Sequence, residues 1–96
     1  MIGKLHNVDG KTIFACCDSE LINTKINHDD VIIEIRDDFF GKKKMSEKEV
    51  LDAIEICDSA NLFGRRVCDF LIKNNHISKE HIIYIGKIPH TQIYKL

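Results

Sequence analysis

Apolar positions alternate with polar ones at both ends of this chain and recur at helical spacing through its middle. The opening "IGKLHN", the "VDG" after it and "KTIFACC" read as a β-hairpin, with Asp9-Gly10 at its tight turn. In the second strand Ile13, Ala15 and Cys17 share one face, and Phe14 and Cys16 the other. Both faces are apolar, which predicts a central place in a sheet. "DSELINTKINHDD" is rich in turn formers and predicts one short helical turn around Ser19 to Ile22. "VIIEI" is the third strand, after which "RDDFFGKKK" leaves the sheet with Gly41 at a bend.

A helix starts at Ser46. Ser46 and Glu49 form a capping box, in which each side chain takes an orphan N–H of the other, and Met45 and Val50 stand at the staple positions. Val50, Ile54 and Cys57, joined by Leu51 and Ala53, make the inward stripe. A second helix is predicted with Asn61 as N-cap, Leu62 as its first residue and Gly64 as its third. It carries Phe63, Val67, Phe70 and Leu71 on one face and stops at Asn74 or Asn75. "SKE" caps a last short turn, and "HIIYIG" and "TQIYKL" are two final strands joined through "KIPH". The order β-β-β-α-α-β-β predicts the α+β class. Its sheet has four or five strands, mainly antiparallel or mixed, with two helices packed on one face.

Length and charge narrow the reading. Residues 1–96 are expected to form a single domain, burying roughly 60–65% of the unfolded surface. The net charge of −1 draws the chain to neither nucleic acid nor anionic lipid as a whole, so polyanion binding would need a local patch. The longest apolar runs, such as Val31-Ile32-Ile33, are far short of a membrane span, and no membrane partner is expected. "MIGKLHNVDG" has no apolar core of a signal peptide, which makes a cytoplasmic location the expectation. Cys16, Cys17, Cys57 and Cys68 are then expected as buried or half-buried free thiols.

The stretch "SANLFGRR" is where chemistry has the best opening. A glycine inside the first turn of a helix costs up to about 1 kcal/mol relative to alanine, which asks for a compensating close approach by a backbone or a ligand. Helix N-termini carry free N–H groups and partial positive charge and suit phosphate or carboxylate. Arg65 and Arg66 face the unfavourable end of that dipole unless an anion or a carboxylate lies between. An anion site is therefore expected from Asn61, Gly64, Arg65 and Arg66, extended by the basic loop Lys42, Lys43 and Lys44 beside Phe39 and Phe40. The alternatives are structural: Arg65 pairs with Asp58 or Asp69, and Gly64 lets two helices pack closely.

Other chemistries find less support. The cysteines lack zinc spacing, His76 and His81 straddle a turn, and neither a P-loop nor a dinucleotide fingerprint is present, so no metal or cofactor is expected. Three functions stay open. The leading one is a non-enzymatic binding module for RNA or a ribonucleoprotein of the translation type. The second is an assembly factor that pairs with itself or a protein partner through an edge strand, "TQIYKL". The third is a small enzyme using His90 with Cys16 or Cys17, if their strands are neighbours.

"SANLFGRR", followed about twenty residues later by "GKIPHTQI", resembles an archaeal family known as domain of unknown function 424. The likeness runs over essentially the whole chain and includes "FACCD", "SANL-x-G" and "PH-x-Q". It implies a compact α+β domain of this size and brings no established activity. Carried over by position, it points at Ser59, Ala60, Asn61, Leu62 and Gly64, then Gly86, Pro89, His90 and Gln92. Phe63 and Arg65 stand where smaller or acidic residues are also accepted, and Thr91 replaces a usual alanine. A site shared by the family would therefore rest on Asn61 and the helix-end amides rather than on Arg65.

Overall fold

The computed structural model describes residues 1–96. β1 (Ile2–Val8) and β2 (Lys11–Cys17) form the expected hairpin, and both turn residues, Asp9 and Gly10, have positive φ (51° and 80°). That is the backbone hand that matches strand twist. A 3-10 turn at Ser19–Leu21 follows, as expected. A second hairpin then pairs β3 (Thr24–His28) with β4 (Val31–Ile35) around Asp29 and Asp30, also at positive φ. "VIIEI" therefore belongs to a separate two-stranded sheet, and its partner, the polar "TKINH", carries too little apolar alternation to announce itself.

One helical turn, α1 (Asp37–Phe40), ends at Gly41 (φ 85°), and the chain returns along the outside of β1. There Gly3 N–H donates to the Lys43 C=O (3.3 Å) and Ile2 bridges Lys44. α2 (Glu47–Ile56) starts with the predicted capping box: Glu49 N–H donates to Ser46 Oγ at 3.1 Å, and Ser46 N–H to Glu49 Oε1 at 3.0 Å. The Ser46 N–H, seconded by the Lys43 ammonium, holds the Glu49 carboxyl below the usual range.

The next segment departs from the sequence reading. Ser59–Phe63 is a strand, β5, and Asn61 caps no helix. β5 lies in the middle of a mixed five-stranded sheet of order β1-β2-β5-β7-β6, parallel to β2 and antiparallel to β7. Ala60 and Leu62 are buried under the helices, while Ser59 and Asn61 take the other face, a period of two rather than 3.6. Two flanking strands satisfy the backbone of β5 on both sides, and that outweighs the capping preference of its polar residues.

α3 (Arg65–Lys73) begins only after Gly64, which is its N-cap and not its third residue. It ends as expected near Asn74 and Asn75: Asn75 is left-handed (φ 61°), His76 N–H donates to Leu71 C=O and Asn75 N–H to Ile72 C=O. After a 3-10 turn at Lys79–His81 the chain forms β6 (Ile83–Ile85) and β7 (Ile88–Tyr94). The joint is Gly86-Lys87 rather than "KIPH", because Ile88, Pro89 and His90 are already in β7 and register with β6. The α+β class, the mixed sheet and two helices on one face are as expected; β3, β5 and α1 are additional to the expected order.

Two cores flank the sheet. Phe14, Cys16, Leu62, Val50, Ile54 and Leu71 fill the space beneath α2 and α3. On the opposite face Ala15, Cys17 and Phe63 meet Ile26, Ile35 and Phe40 from the second hairpin and α1. Adjacent Cys16 and Cys17 thus enter different cores, and all four cysteines are buried and unpaired.

Asp18 joins these parts. It is 4% exposed, its N–H donates to Phe63 C=O (3.0 Å), and its carboxylate receives the Arg66 (3.0 Å) and Val67 (2.9 Å) N–H groups at the start of α3. Gly64, at φ 117°, lies against that carboxylate, and a Cβ built there overlaps it. Gly64→Ala is therefore expected to lower unfolding stability by on the order of 2–3 kcal/mol, through strained backbone and overlap. Asp18→Ala should cost on the order of 1–2 kcal/mol through the lost cap. In urea titrations the double variant should lose at least about 1 kcal/mol less than the sum, because removing the carboxylate makes room for the methyl.

Candidate functional site

The strand register gathers most of the predicted basic residues at one end of the sheet. Ile2, Cys17, Phe63 and His90 follow one another across β1, β2, β5 and β7, and Lys44 bridges Ile2 from the chain outside the sheet. Gly64 and Arg65 come directly after Phe63, and Lys87 sits in the turn before β7. Strand spacing alone puts Lys44 roughly 14 Å from the end of β5. Arg66 Nη1 is 3.5 Å from Glu20, Lys42 3.8 Å from Asp37 and Lys43 3.1 Å from Glu49. Lys44, Arg65 and Lys87 form no salt bridge, so Arg65 pairs with neither Asp58 nor Asp69, although it lines a cleft with Asp69. A cavity of about 350 Å³ lies between Arg65, Arg66, Lys87, Glu20 and Pro89. Lys87 was missed in the sequence because a lysine after a turn glycine carries no signal of its own.

The expected anion pocket at the helix end is filled from within. The Arg66 and Val67 amides are taken by Asp18, Gly64 N–H donates to Pro89 C=O at 2.9 Å, and Asn61 lies in mid-strand. The carboxylate that offsets two arginines at a positive helix end is the chain's own. In the basic loop, Phe40 is buried, while Phe39 is half-exposed and stacks on His6 with centroids 5.0 Å apart.

Motif residues of β5 and β7 face each other on the side of the sheet opposite the helices. Asn61 registers with Gln92, and Gln92 Nε2 donates to Asn61 Oδ1 at 2.7 Å. His90 registers with Phe63 and stacks on it at 3.9 Å between centroids. A carbonyl only accepts, so His90 Nδ1, 2.9 Å from Leu62 O, carries the hydrogen of the neutral ring, and Nε2 has no partner within the chain. Burial lowers the His90 pKa, an effect only partly opposed by that carbonyl. His90 and Gln92 line a notch of about 230 Å³ with His81, Ile83, Thr91 and Tyr94, which Asn61 does not reach. Gly86 turns with φ 62°, and Pro89 follows a trans peptide and packs beside Tyr84. Ser59, Ala60 and Leu62 serve the sheet and its core.

The cysteine–histidine pairing considered from sequence is not formed. β5 separates β2 from β7, with Phe63 standing between Cys17 and His90. Burial pushes the Cys16, Cys17 and Cys68 thiols up to about 12 and raises Cys57 as well, the opposite of what a nucleophile needs.

With this geometry in place, comparison with known proteins identifies the lineage. The family model described as "Protein of unknown function (DUF424)" matches residues 6–96. The chain belongs to DUF424. A solved structure, an uncharacterized conserved protein from Methanopyrus kandleri, is similar to it with a TM-score of 0.85 at 20% sequence identity. That similarity covers 99% of this chain and 90% of the other and establishes the fold. No curated protein matches. Ser59 to Leu62, Gly64, Pro89, His90 and Gln92 lie at the contact between β5, α3 and β7, and no helix in the fold is long and apolar enough to cross a membrane.

Two outcomes follow for these side chains. A denatured chain takes up a proton at His90 near pH 6.5, where the folded chain resists it, so acidification through pH 6.5 favours unfolding. The contribution is complete above pH 6.5 and falls below it, by at most about 1.4 kcal/mol per pH unit. Urea midpoints measured from pH 7.5 to 5.5 should fall less steeply for His90→Gln than for the parent protein. The four thiols should react with a maleimide only once denaturant unfolds the chain; fast labelling of the native protein would contradict their burial.

Proposed function

We propose that this DUF424 member is a binding module without catalytic chemistry of its own, which holds RNA, alone or within a ribonucleoprotein, by its basic end. The supporting observation is that sheet register sets Lys44 at the same end as Arg65, Arg66 and Lys87, and that Lys44, Arg65 and Lys87 are not held in salt bridges. The helix-end amides take no part, so phosphates meet guanidinium and ammonium groups only. The protein carries a net charge of −1, so contact is confined to this end. Single-stranded RNA of mixed sequence, titrated by fluorescence anisotropy at two salt concentrations, should give a logarithmic salt slope of about 0.7 per phosphate held. Reversing Lys44, Arg65 and Arg66 to Glu should weaken binding at least about tenfold. Salt-independent binding, or charge reversal without effect, would overturn the reading.

A second reading has one observation behind it. β6 spans three residues, so β7 beyond His90 has an unpaired outer side, where register directs the main chain of Gln92 and Tyr94 outward. Self-pairing there would make an assembly factor, as expected for "TQIYKL". Light scattering should then show a dimer that Tyr94→Pro converts to monomer.

A further inference from the structure

We infer that the outer edge of β1 is a docking site for an extended acidic peptide, which joins the sheet as a further strand. The inference rests on the main chain of β1 and shares only Lys44 with the RNA reading. Lys4, His6 and Val8 pair with β2 across the hairpin, while Gly3 N–H points the other way, to Lys43 C=O. The same alternation turns the N–H and C=O of Leu5 and Asn7 away from β2. Pairing on that side begins at Ile2 and Gly3 with Lys44 and Lys43, then stops where the chain swings off through Lys42 and Gly41. The edge is thus started by the protein and left unfinished.

A cavity of about 580 Å³ opens where the pairing stops. Leu5, 40% exposed, and Met45 give it apolar surface, and Gly3 and Gly41 add only backbone to its wall. Its size falls in the range of ligand pockets.

Charge selects the occupant. Lys4, Lys42 and Lys43 line the cavity with Asp37 and Asp38, and Lys44 lies beside Ile2 where the pairing begins. Asp38 faces Arg36 (3.3 Å), Asp37 accepts from Asn23 and lies near Lys42, and Glu49 is tied to Ser46 and Lys43. Lys4 Nζ rests on a carbonyl, that of Asp38, and Lys44 has no partner, so two cations beside the open edge are uncompensated. β1 itself holds no carboxylate, so a second copy of it would leave these cations unmet. A strand with acidic side chains completes both the hydrogen bonds and the charges, which is the recognition mode of strand addition.

The probe is a fluorescein-labelled octapeptide alternating Glu with Val or Thr. Saturable binding is expected, with amide hydrogen exchange of Leu5 and Asn7 slowed at least about tenfold and that of Gln92 and Tyr94 unchanged. Leu5→Pro removes one outward N–H at an edge position that tolerates proline and should weaken binding at least about tenfold. Lys4→Glu with Lys44→Glu should do the same, and it tests the site if the proline variant does not fold. Arg65→Glu with Arg66→Glu should leave peptide affinity intact while lowering RNA affinity, which separates this inference from the RNA reading. The inference is overturned if the peptide fails to bind, or if a Lys-for-Glu peptide binds equally. It is also overturned if RNA or a second copy, and not the peptide, protects Leu5 and Asn7.

Discussion

A single buried carboxylate organises this fold. Asp18 leaves the end of β2, gives its N–H to the last residue of β5 and accepts the Arg66 and Val67 amides in the first turn of α3. The end of β2 is thereby locked to the joint between β5 and α3, and the glycine between strand and helix becomes obligatory, because any side chain there enters the carboxylate. The orientation of α3 follows, and with it the placing of Val67 and Leu71 over Leu62 in the helix-side core. The same charge makes Arg65 and Arg66 acceptable at the positive end of a helix.

Filling the helix end from within moves the prospects for binding to the periphery. Around Cys17, Phe63 and His90 both faces of the sheet are covered, one by two helices and the other by the second hairpin. His90 spends one nitrogen on the strand beside it and stacks on Phe63, which makes it a piece of the β5–β7 contact with a single outward atom. What remains for partners is a basic end, held by side chains alone, and two strand edges that the chain begins to pair and then abandons.

Much of this was legible. The first hairpin, the capping box at Ser46, the stop at Asn75, the opposed faces of Cys16 and Cys17 and the α+β class all followed from residue chemistry. The second hairpin was not, because Ile26 is the only apolar residue of β3 and the strand is held by its partner more than by its own pattern. Lys42 to Lys44, Arg65 and Arg66 were recognisable as basic clusters, but their meeting at one end depends on parallel pairing of β2 with β5.

Local physics therefore determined the elements whose hydrogen bonds close within a few residues: turns with left-handed Asp and Gly, a helix start whose caps are three residues apart, a helix end sealed by its own amides. Tertiary structure alone decided the fate of "SANLFG". Its cap-forming residues favour a helix start, yet strands on both sides saturate its backbone and make it the centre of the sheet. The helix that follows takes its cap from Asp18, 48 residues before Arg66, a partner that no local pattern can specify.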